Sequence, residues 1–395
     1  MKKPLRVIDL GEGPRIGYAT RLLAGFGAEV IKIERPGTGD STRSSGPFPN
    51  DKLDRENSGL ALFLDAGKRS VCIDQDSDDG IKTLSQLLDT ADLVFDEISQ
   101  QQAIRLGLDE ESMDANYPQL IRASISPFGM NGPNCDLEAP TLMLEALCGW
   151  LALSGEPGQT PARIRGELAS AVIPGSYAVI GALAALNWRE EHGEGQFIEI
   201  SAQEAMISAS RFYETTYAQR GIEIPRLGSM LHPTYGYMQA RDGYVALCAA
   251  TGEQQEMLPI LADMAEYIGD PLFQLVQDGS ADSSPAKPLF YGWIADHDRK
   301  DIFKKAQELR VPAGYLSNAN DVLTLPQLIA RGALTPQKTP DSEITFPGPP
   351  FRMSEMSHMT GKAPLLGEHT REILSNDTKL SNDEIEDLYK RGVLA

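Results

Sequence analysis

A glycine-rich turn near the start of the chain has residues that could bind phosphate. Gly11, Gly13 and Gly17 lie in GEGPRIG, and their spacing comes close to the G-x-G-x-x-G fingerprint of dinucleotide-binding turns. The third glycine comes one residue late, and Pro14 removes a backbone N–H from the turn. Glu34 lies where a ribose-binding acid would follow, about 20 residues on. Nicotinamide binding is therefore kept only as a weakly supported alternative.

The cysteines and histidines form no metal-ligand pattern in the sequence. The four cysteines stand far apart without a CxxC spacing, and the five histidines are scattered. We therefore expect free thiols, no metal site and no cofactor. The cysteines are Cys72, Cys135, Cys148 and Cys248.

Charge and hydropathy limit the partners of the chain. The 395 residues carry a net charge of −20, which disfavours nucleic acid and anionic membranes as partners. An anionic ligand would need a local cluster of Lys and Arg against this field. No apolar run reaches the length of a transmembrane helix, and the start, MKKPLRVIDL, lacks a signal-peptide core. We expect a cytoplasmic protein with room for two domains.

Strand and helix patterns alternate along the first part of the chain. The apolar runs LRVIDL and EVIKIE flank a helix predicted from about Tyr18 to Phe26. Such a β-α-β unit is typical of a doubly wound parallel sheet, so the fold class is α/β with a Rossmann-like large domain. Further strands are predicted at 70–73, 93–95 and 120–126, and helices at 79–90 and 110–115.

A change of pattern after residue 220 indicates a smaller α+β domain. A single long helix is predicted over 199–220, and YGYMQARDGYVALC then predicts a β-hairpin with an Asp-Gly turn. The tail ends in a polar helix that Ser381 is expected to cap. The predicted limits are 1–200 and 325–395 for the large domain, 225–320 for the small domain, and 201–224 and 310–324 for linkers.

The stretch RIRGELASAVIPGSYAVIGALAALNWRE, from Arg163 to Glu190, contains a strong helix pattern with small residues suited to close packing. It resembles a signature of the family III CoA-transferases. The resemblance extends over nearly the whole chain, notably in GAEVIKIERPGTGD, SISPFGMNGP, HPTYGYMQARDGYVAL and APLLGEHTREIL. It implies a Rossmann-like domain built from both chain ends, a small domain, and two subunits threaded through each other as an interlocked dimer.

Ala171 stands at the position of the family's nucleophilic aspartate, ten residues before Gly181. In the family, that carboxylate attacks the donor acyl-CoA, and an aspartyl-CoA thioester later passes CoA to the acceptor acid. A methyl group cannot attack a thioester. The resemblance therefore implies a site without its catalytic residue, and we assign no catalytic residue to this chain.

Other departures from the family pattern accompany Ala171. Pro140 and Thr141 replace a tyrosine and an acid. The segment Glu97–Gln101 replaces an Asn-Phe-Arg-Pro-Gly loop that lies against CoA in the family, and an acid there would repel phosphate. In the glycine-rich turn, Pro14 replaces a residue that is usually Gln or Val, with Arg15 beside it. The changes cluster around the active site, unlike scattered drift.

Four basic residues occupy positions that resemble the family's CoA contacts. Their functional interpretation is charge-assisted hydrogen bonding to phosphate. The structural alternative is that they cap a helix or lie in a solvated turn. These residues are Arg35, Lys68, Arg69 and Arg105.

Two other side chains were weighed as catalytic groups. Glu167 is the nearest carboxylate to Ala171, but it would need a shift of four residues that the Pro174-Gly175 turn opposes. His369 lies in the closing motif, where a structural hydrogen bond is expected. The racemase branch of the superfamily uses a histidine and an aspartate as opposed bases, and the matching positions here hold neither.

The sequence therefore predicts a non-catalytic subunit of a heteromeric family III CoA-transferase, whose paralogous partner supplies the aspartate. The resemblance, rather than any single residue, implies that the complex would move CoA from a CoA thioester such as succinyl-CoA to a carboxylic acid such as (R)-benzylsuccinate, a step of anaerobic toluene degradation. The alternative is a catalytically inactive homodimer that binds acyl-CoA or regulates another protein. An engineered change at Ala171 is disfavoured, because the neighbouring positions differ as well.

Overall fold

The chain divides into two compact units in a computed structural model that describes residues 4–163, 169–209, 211–275, 279–338, 343–359 and 361–395. Unit 1 comprises residues 1–150, 165–215 and 331–395, and unit 2 comprises 151–164 and 216–330. Relative to the sequence-based limits, residues 201–215 thus fall in the first unit, and residues 151–164 and 325–330 fall in the second.

The strands are short. They are β1 (Arg6–Asp9), β2 (Glu29–Glu34), β3 (Arg69–Cys72), β4 (Leu93–Asp96), β5 (Ile121–Ser126), β6 (Phe197–Ser201), β7 (Met230–His232), β8 (Tyr235–Ala240), β9 (Gly243–Cys248), β10 (Ala313–Tyr315), β11 (Leu334–Lys338) and β12 (Glu343–Pro347).

The helices of the first half of the chain are α1 (Pro14–Gly25), α2 (Gly59–Leu64), α3 (Asp78–Leu88), α4 (Gln100–Leu106), α5 (Glu110–Asn116), α6 (Thr141–Leu147), α7 (Trp150–Leu153) and α8 (Ala169–His192). Those of the second half are α9 (Ala202–Ser208), α10 (Arg211–Arg220), α11 (Gly252–Leu261), α12 (Ala286–Asp296), α13 (Arg299–Glu308), α14 (Ala319–Thr324), α15 (Pro326–Ala330), α16 (Thr370–Asp377) and α17 (Asn382–Lys390).

A parallel sheet of six strands forms the centre of unit 1, in the order β3-β2-β1-β4-β5-β6. The chain begins in the middle, builds outward to β3, returns to β4 beside β1, and builds outward again to β6. The α/β fold class is therefore confirmed. The order reverses between β1 and β4, and in open α/β sheets ligands bind beyond the carboxyl ends of the strands at this switch point.

The sheet is covered on both faces, as its continuous apolar strands require. Successive residues of a strand point to opposite faces, so Val7 packs in the core with α1 and α8, while Ile8 packs in the core with α3 and α16. Both side chains are fully buried. Two hydrophobic layers therefore hold the strand ends rigidly in place.

Helix α8 is the described helix with the length and apolar composition of a membrane span. Its small side chains pack in the core on the sheet, where Ala178 and Ala182 are fully buried. A Cβ on Gly175 would lie only 2.7 Å from the carbonyl oxygen of Arg15. The glycine therefore permits a close crossing of α8 and α1, and the alanine-rich sequence is explained by packing within the protein.

Two sequence-based boundaries were wrong. Helix α1 begins at Pro14, four residues before the predicted start, because proline is well suited to the first helical turn, where its missing N–H is not needed. The predicted long helix over 199–220 is instead strand β6 followed by α9 and α10. Ser201 ends the strand and caps α9 by accepting a hydrogen bond from the N–H of Glu204.

Unit 2 contains an antiparallel sheet in the order β10-β9-β8-β7, with a core shared by α11, α12 and α13. The predicted hairpin is formed by β8 and β9, which pair from Tyr235–Cys248 to Ala240–Gly243. In unit 1, the predicted cap of the last helix is also confirmed. Ser381 and Glu384 form a reciprocal capping box at the start of α17.

Candidate functional site

The candidate site lies at the switch point of the parallel sheet. The loop after β1 leads into the first turn of α1, and Glu97 follows β4 directly. A Cβ on Gly13 would lie 3.6 Å from Oε2 of Glu97, so the two loops are in contact. The first turn of α1 presents backbone N–H groups, which favour negative charge at this edge.

Ala171 lies in the first turn of α8 and is 1% exposed. Its neighbour Ser170 donates a hydrogen bond from Oγ to Oγ1 of Thr141, at 2.9 Å. The start of α6 therefore meets the start of α8, so two of the departures from the family pattern, at Thr141 and Ala171, lie close together. Ala171 is one turn before Gly175, so it lies on the helix face that crosses α1.

Arg15 joins three segments around this edge. Its Nη2 donates a hydrogen bond to the carbonyl oxygen of Ala139, at 3.2 Å. Its Nη1 lies 3.9 Å from Oε2 of Glu97, and both side chains are 17% exposed. The guanidinium thus links α1, the loop after β4 and the segment that enters α6.

The Glu97 carboxyl has an unusual proton affinity. Burial, with smaller contributions from the negative charges of Asp40 and Asp9, raises its pKa to about 7, while Arg15 and the backbone N–H of Ile16 act in the opposite direction. Within the described residues, Oε1 of Glu97 is buried and has no hydrogen-bond partner. The group therefore exists in both protonation states near neutral pH and can hold or release a proton there.

Two of the expected CoA ligands lie together beyond the carboxyl ends of the parallel strands. Arg35 contacts Oδ2 of Asp76 from Nη1 at 2.7 Å and Oε1 of Glu12 from Nε at 2.5 Å. Arg105 donates from Nη2 to the carbonyl oxygen of Asp76 at 2.9 Å. Both arginines are partly exposed, at 36% and 52% of the side chain. They could contact a phosphate, although two carboxylates already offset much of their charge.

The other two expected ligands lie elsewhere. Lys68 is buried, and its ammonium group donates to Oδ2 of Asp9, to Oδ1 of Asp65 and to the carbonyl oxygen of Gly17, at 2.9 to 3.2 Å. An ammonium group has three donors, so none remains for a phosphate. Arg69 is the first residue of β3, so it lies at the amino ends of the parallel strands, where it pairs with Glu29 and Glu372. The sequence did not distinguish these ion-paired residues from free cations.

The remaining candidates have simpler surroundings. His369 accepts a hydrogen bond at Nδ1 from the backbone N–H of Ser70, at 3.3 Å, consistent with a structural role. Glu167 lies outside the described residues. No cluster of three His, Cys, Asp or Glu side chains that could hold a metal ion occurs within the described ranges. All four cysteines are free thiols.

Sequence reasoning treated Arg15 and Glu97 separately and missed their pairing. Each is a charged residue just beyond the carboxyl end of β1 or β4, and these strands are neighbours in the sheet. A doubly wound sheet places β1 beside β4, so the strand order alone was a signal that the two loops meet.

The doubly wound parallel sheet and the site at its switch point define an α/β protein of the Rossmann-like class. The chain belongs to CoA-transferase family III, whose family model matches residues 3–370. It is 30% identical to a succinyl-CoA:mesaconate CoA-transferase of Haloarcula hispanica over 94% of each chain. It is 29% identical to succinyl-CoA:(R)-benzylsuccinate CoA-transferase subunit BbsE of Thauera aromatica, over 98% of this chain and 97% of that one.

A solved structure shares the fold. A CAIB/BAIF family protein from Brucella suis superposes with a TM-score of 0.83 at 27% identity, over 94% of this chain and 97% of that one. The predicted family membership is therefore confirmed, together with the α/β fold.

Proposed function

We propose that this chain is a non-catalytic subunit of a heteromeric family III CoA-transferase. The observation that carries the proposal is Ala171, buried in the first turn of α8 beside the Ser170–Thr141 hydrogen bond. An acyl transfer through an enzyme-bound anhydride and thioester needs a carboxylate at that position. A paralogous partner subunit would supply it.

An exposed apolar surface supports the need for a partner. Helices α6 and α8 present large apolar side chains that are 43–62% exposed. Patches of this kind on a protein mark contacts with another chain. We propose that this surface belongs to an interlocked dimer with the paralogous subunit, in the cytoplasm. The residues of the surface are Leu142, Met143, Leu147, Tyr177, Ile180 and Leu183.

The names of the relatives support the substrate class. Both relatives are named as CoA-transferases with succinyl-CoA as the donor, and the Thauera aromatica protein is named as a subunit. We propose succinyl-CoA as the donor and a carboxylic acid such as (R)-benzylsuccinate as the acceptor. The acceptor would place the complex in anaerobic toluene degradation.

Native mass spectrometry of the protein, purified gently from its own source, tests this proposal. We expect a second polypeptide of about the same mass to stay bound, with an aspartate at the position equivalent to Ala171. The complex should transfer CoA, and replacing that aspartate by alanine should abolish transfer. A homodimer of this chain that transfers CoA at the rate of the complex would contradict the proposal.

A second candidate function is a catalytically inactive homodimer that binds acyl-CoA. It is favoured by Arg35 and Arg105, which lie together at the carboxyl edge of the sheet. Titration of the homodimer with CoA would decide for it if Arg35→Ala and Arg105→Ala each weakened binding while Arg69→Ala, at the opposite edge, did not.

A further inference from the structure

The Arg15–Glu97 pair is an incomplete ion pair. The distance of 3.9 Å between Nη1 and Oε2 is too long for a hydrogen bond. A guanidinium has five N–H donors. In the part of the chain that the structure describes, one nitrogen of Arg15 has a hydrogen-bond acceptor, the carbonyl oxygen of Ala139. Oε1 of Glu97 is buried without a partner in the same part of the chain.

The unmet hydrogen bonds of the two side chains are complementary to a carboxylate group. A carboxylate accepts two parallel N–H bonds from a guanidinium, and it also accepts an O–H from a protonated glutamic acid. The first-turn N–H groups of α1 add a favourable field. The negative charges of Asp9 and Asp40 act on Glu97, so a group with a single negative charge fits better than a phosphate dianion.

We propose that Arg15 and Glu97 form a binding site for the carboxylate of a small organic acid, with Arg15 holding the carboxylate and protonated Glu97 donating a hydrogen bond to it. The choice of an organic acid as ligand rests on the proposed function. The site itself does not, because it needs neither CoA nor a partner subunit. No covalent step is involved.

Binding at this site is coupled to a proton on Glu97. An ionised Glu97 repels an incoming carboxylate, so binding favours the protonated form. The charged groups that face Glu97 are Arg15 from α1, Asp9 at the end of β1 and Asp40 after β2. Since the pKa of Glu97 is about 7, affinity should fall about tenfold between pH 6 and pH 8.

Isothermal titration of the full chain with succinate tests the proposal. We expect binding at pH 6, uptake of about half a proton per succinate at pH 7, and affinity about tenfold weaker at pH 8. Arg15→Ala should weaken binding at least tenfold. Glu97→Gln should bind with the same affinity from pH 6 to pH 8. Arg15→Lys should retain more affinity than Arg15→Ala, a ranking that a general folding defect would not produce.

Arg189 provides a matched control, because its side chain is also largely buried, at 19% exposed, and it pairs with Asp92 away from the site. Arg189→Ala should bind succinate as the unchanged protein does. Equal binding by Arg15→Ala, a pH-independent affinity in the unchanged protein, or no succinate binding at all would overturn the proposal. These outcomes are independent of the mass spectrometry. If the protein is a homodimer and binds succinate through Arg15, the proposed heteromeric function is contradicted, whereas the proposed carboxylate site is supported.

Discussion

Replacing Glu97 by glutamine should change how stability depends on pH. The ordinary pKa of a glutamate is 4.5, and burial raises that of Glu97 to about 7 in the folded protein. Because the folded state holds this proton more tightly than the unfolded state, the associated stability is full below pH 4.5. This contribution to stability is lost as the pH rises from 4.5 to 7, and above pH 7 the stability no longer changes with the ionisation of Glu97.

The size of this effect follows from the same two values. At about 1.4 kcal/mol for each tenfold change in proton affinity, ionising Glu97 costs the folded state about 3 kcal/mol above pH 7. The Glu97→Gln protein avoids that cost. Its free energy of unfolding, relative to the unchanged protein, should therefore rise by about 2 to 3 kcal/mol between pH 5 and pH 8.

Urea denaturation of both proteins at half-unit steps from pH 5 to pH 8.5 measures this difference. The other titrating groups are common to both proteins and cancel in the comparison. Glu111→Gln, on an exposed residue of α5, is the matched control and should show no such trend. A constant difference between the Glu97→Gln and unchanged proteins across this range would refute the reasoning.

Three further substitutions have clear expected outcomes. Lys68→Met should lower the free energy of unfolding by about 3 to 5 kcal/mol, measured in urea, because Asp9 and Asp65 would keep buried charge with one fewer partner. Ile180→Lys, on the exposed face of α8, should prevent association and yield a single subunit in native mass spectrometry. Ala171→Asp should give the isolated chain no CoA transfer, measured by succinyl-CoA consumption, because the other altered positions remain.

The fold was largely predictable because its strands are short apolar runs with strong flanking signals. Five of the six strands of the parallel sheet were placed within about a residue of their ends. The sixth, FIEIS, was missed because it runs directly into a helical pattern, and the change occurs at Ser201, which belongs to both elements. Local periodicity cannot locate such a junction, since the strand is stabilised by pairing with β5, about 75 residues earlier.

The site was harder to predict because its electrostatics depend on distant residues. Lys68 and Arg69 are adjacent in sequence. Lys68 is buried against Asp9, whereas Arg69 lies at the amino end of β3 beside Glu372. Apart from Asp65, which is three residues from Lys68, their partners are tens to hundreds of residues away. The sequence therefore proposed four basic residues as candidates, but burial and ion pairing, which the sequence does not show, decide which of them keep a free N–H donor.

The changes at Ala171 and Glu97 have one physical consequence in common. A nucleophilic carboxylate must be ionised to attack a thioester, and a carboxylate at position 171 would lie in the first turn of α8, where the helix dipole favours the anion. This chain has no carboxylate there and instead has one after β4, where burial keeps it partly protonated at neutral pH. With Arg15 beside it, that group matches the carboxylate-binding site proposed above. In the proposed function, this site would recognise an acid reversibly, and acyl transfer would take place in the partner subunit.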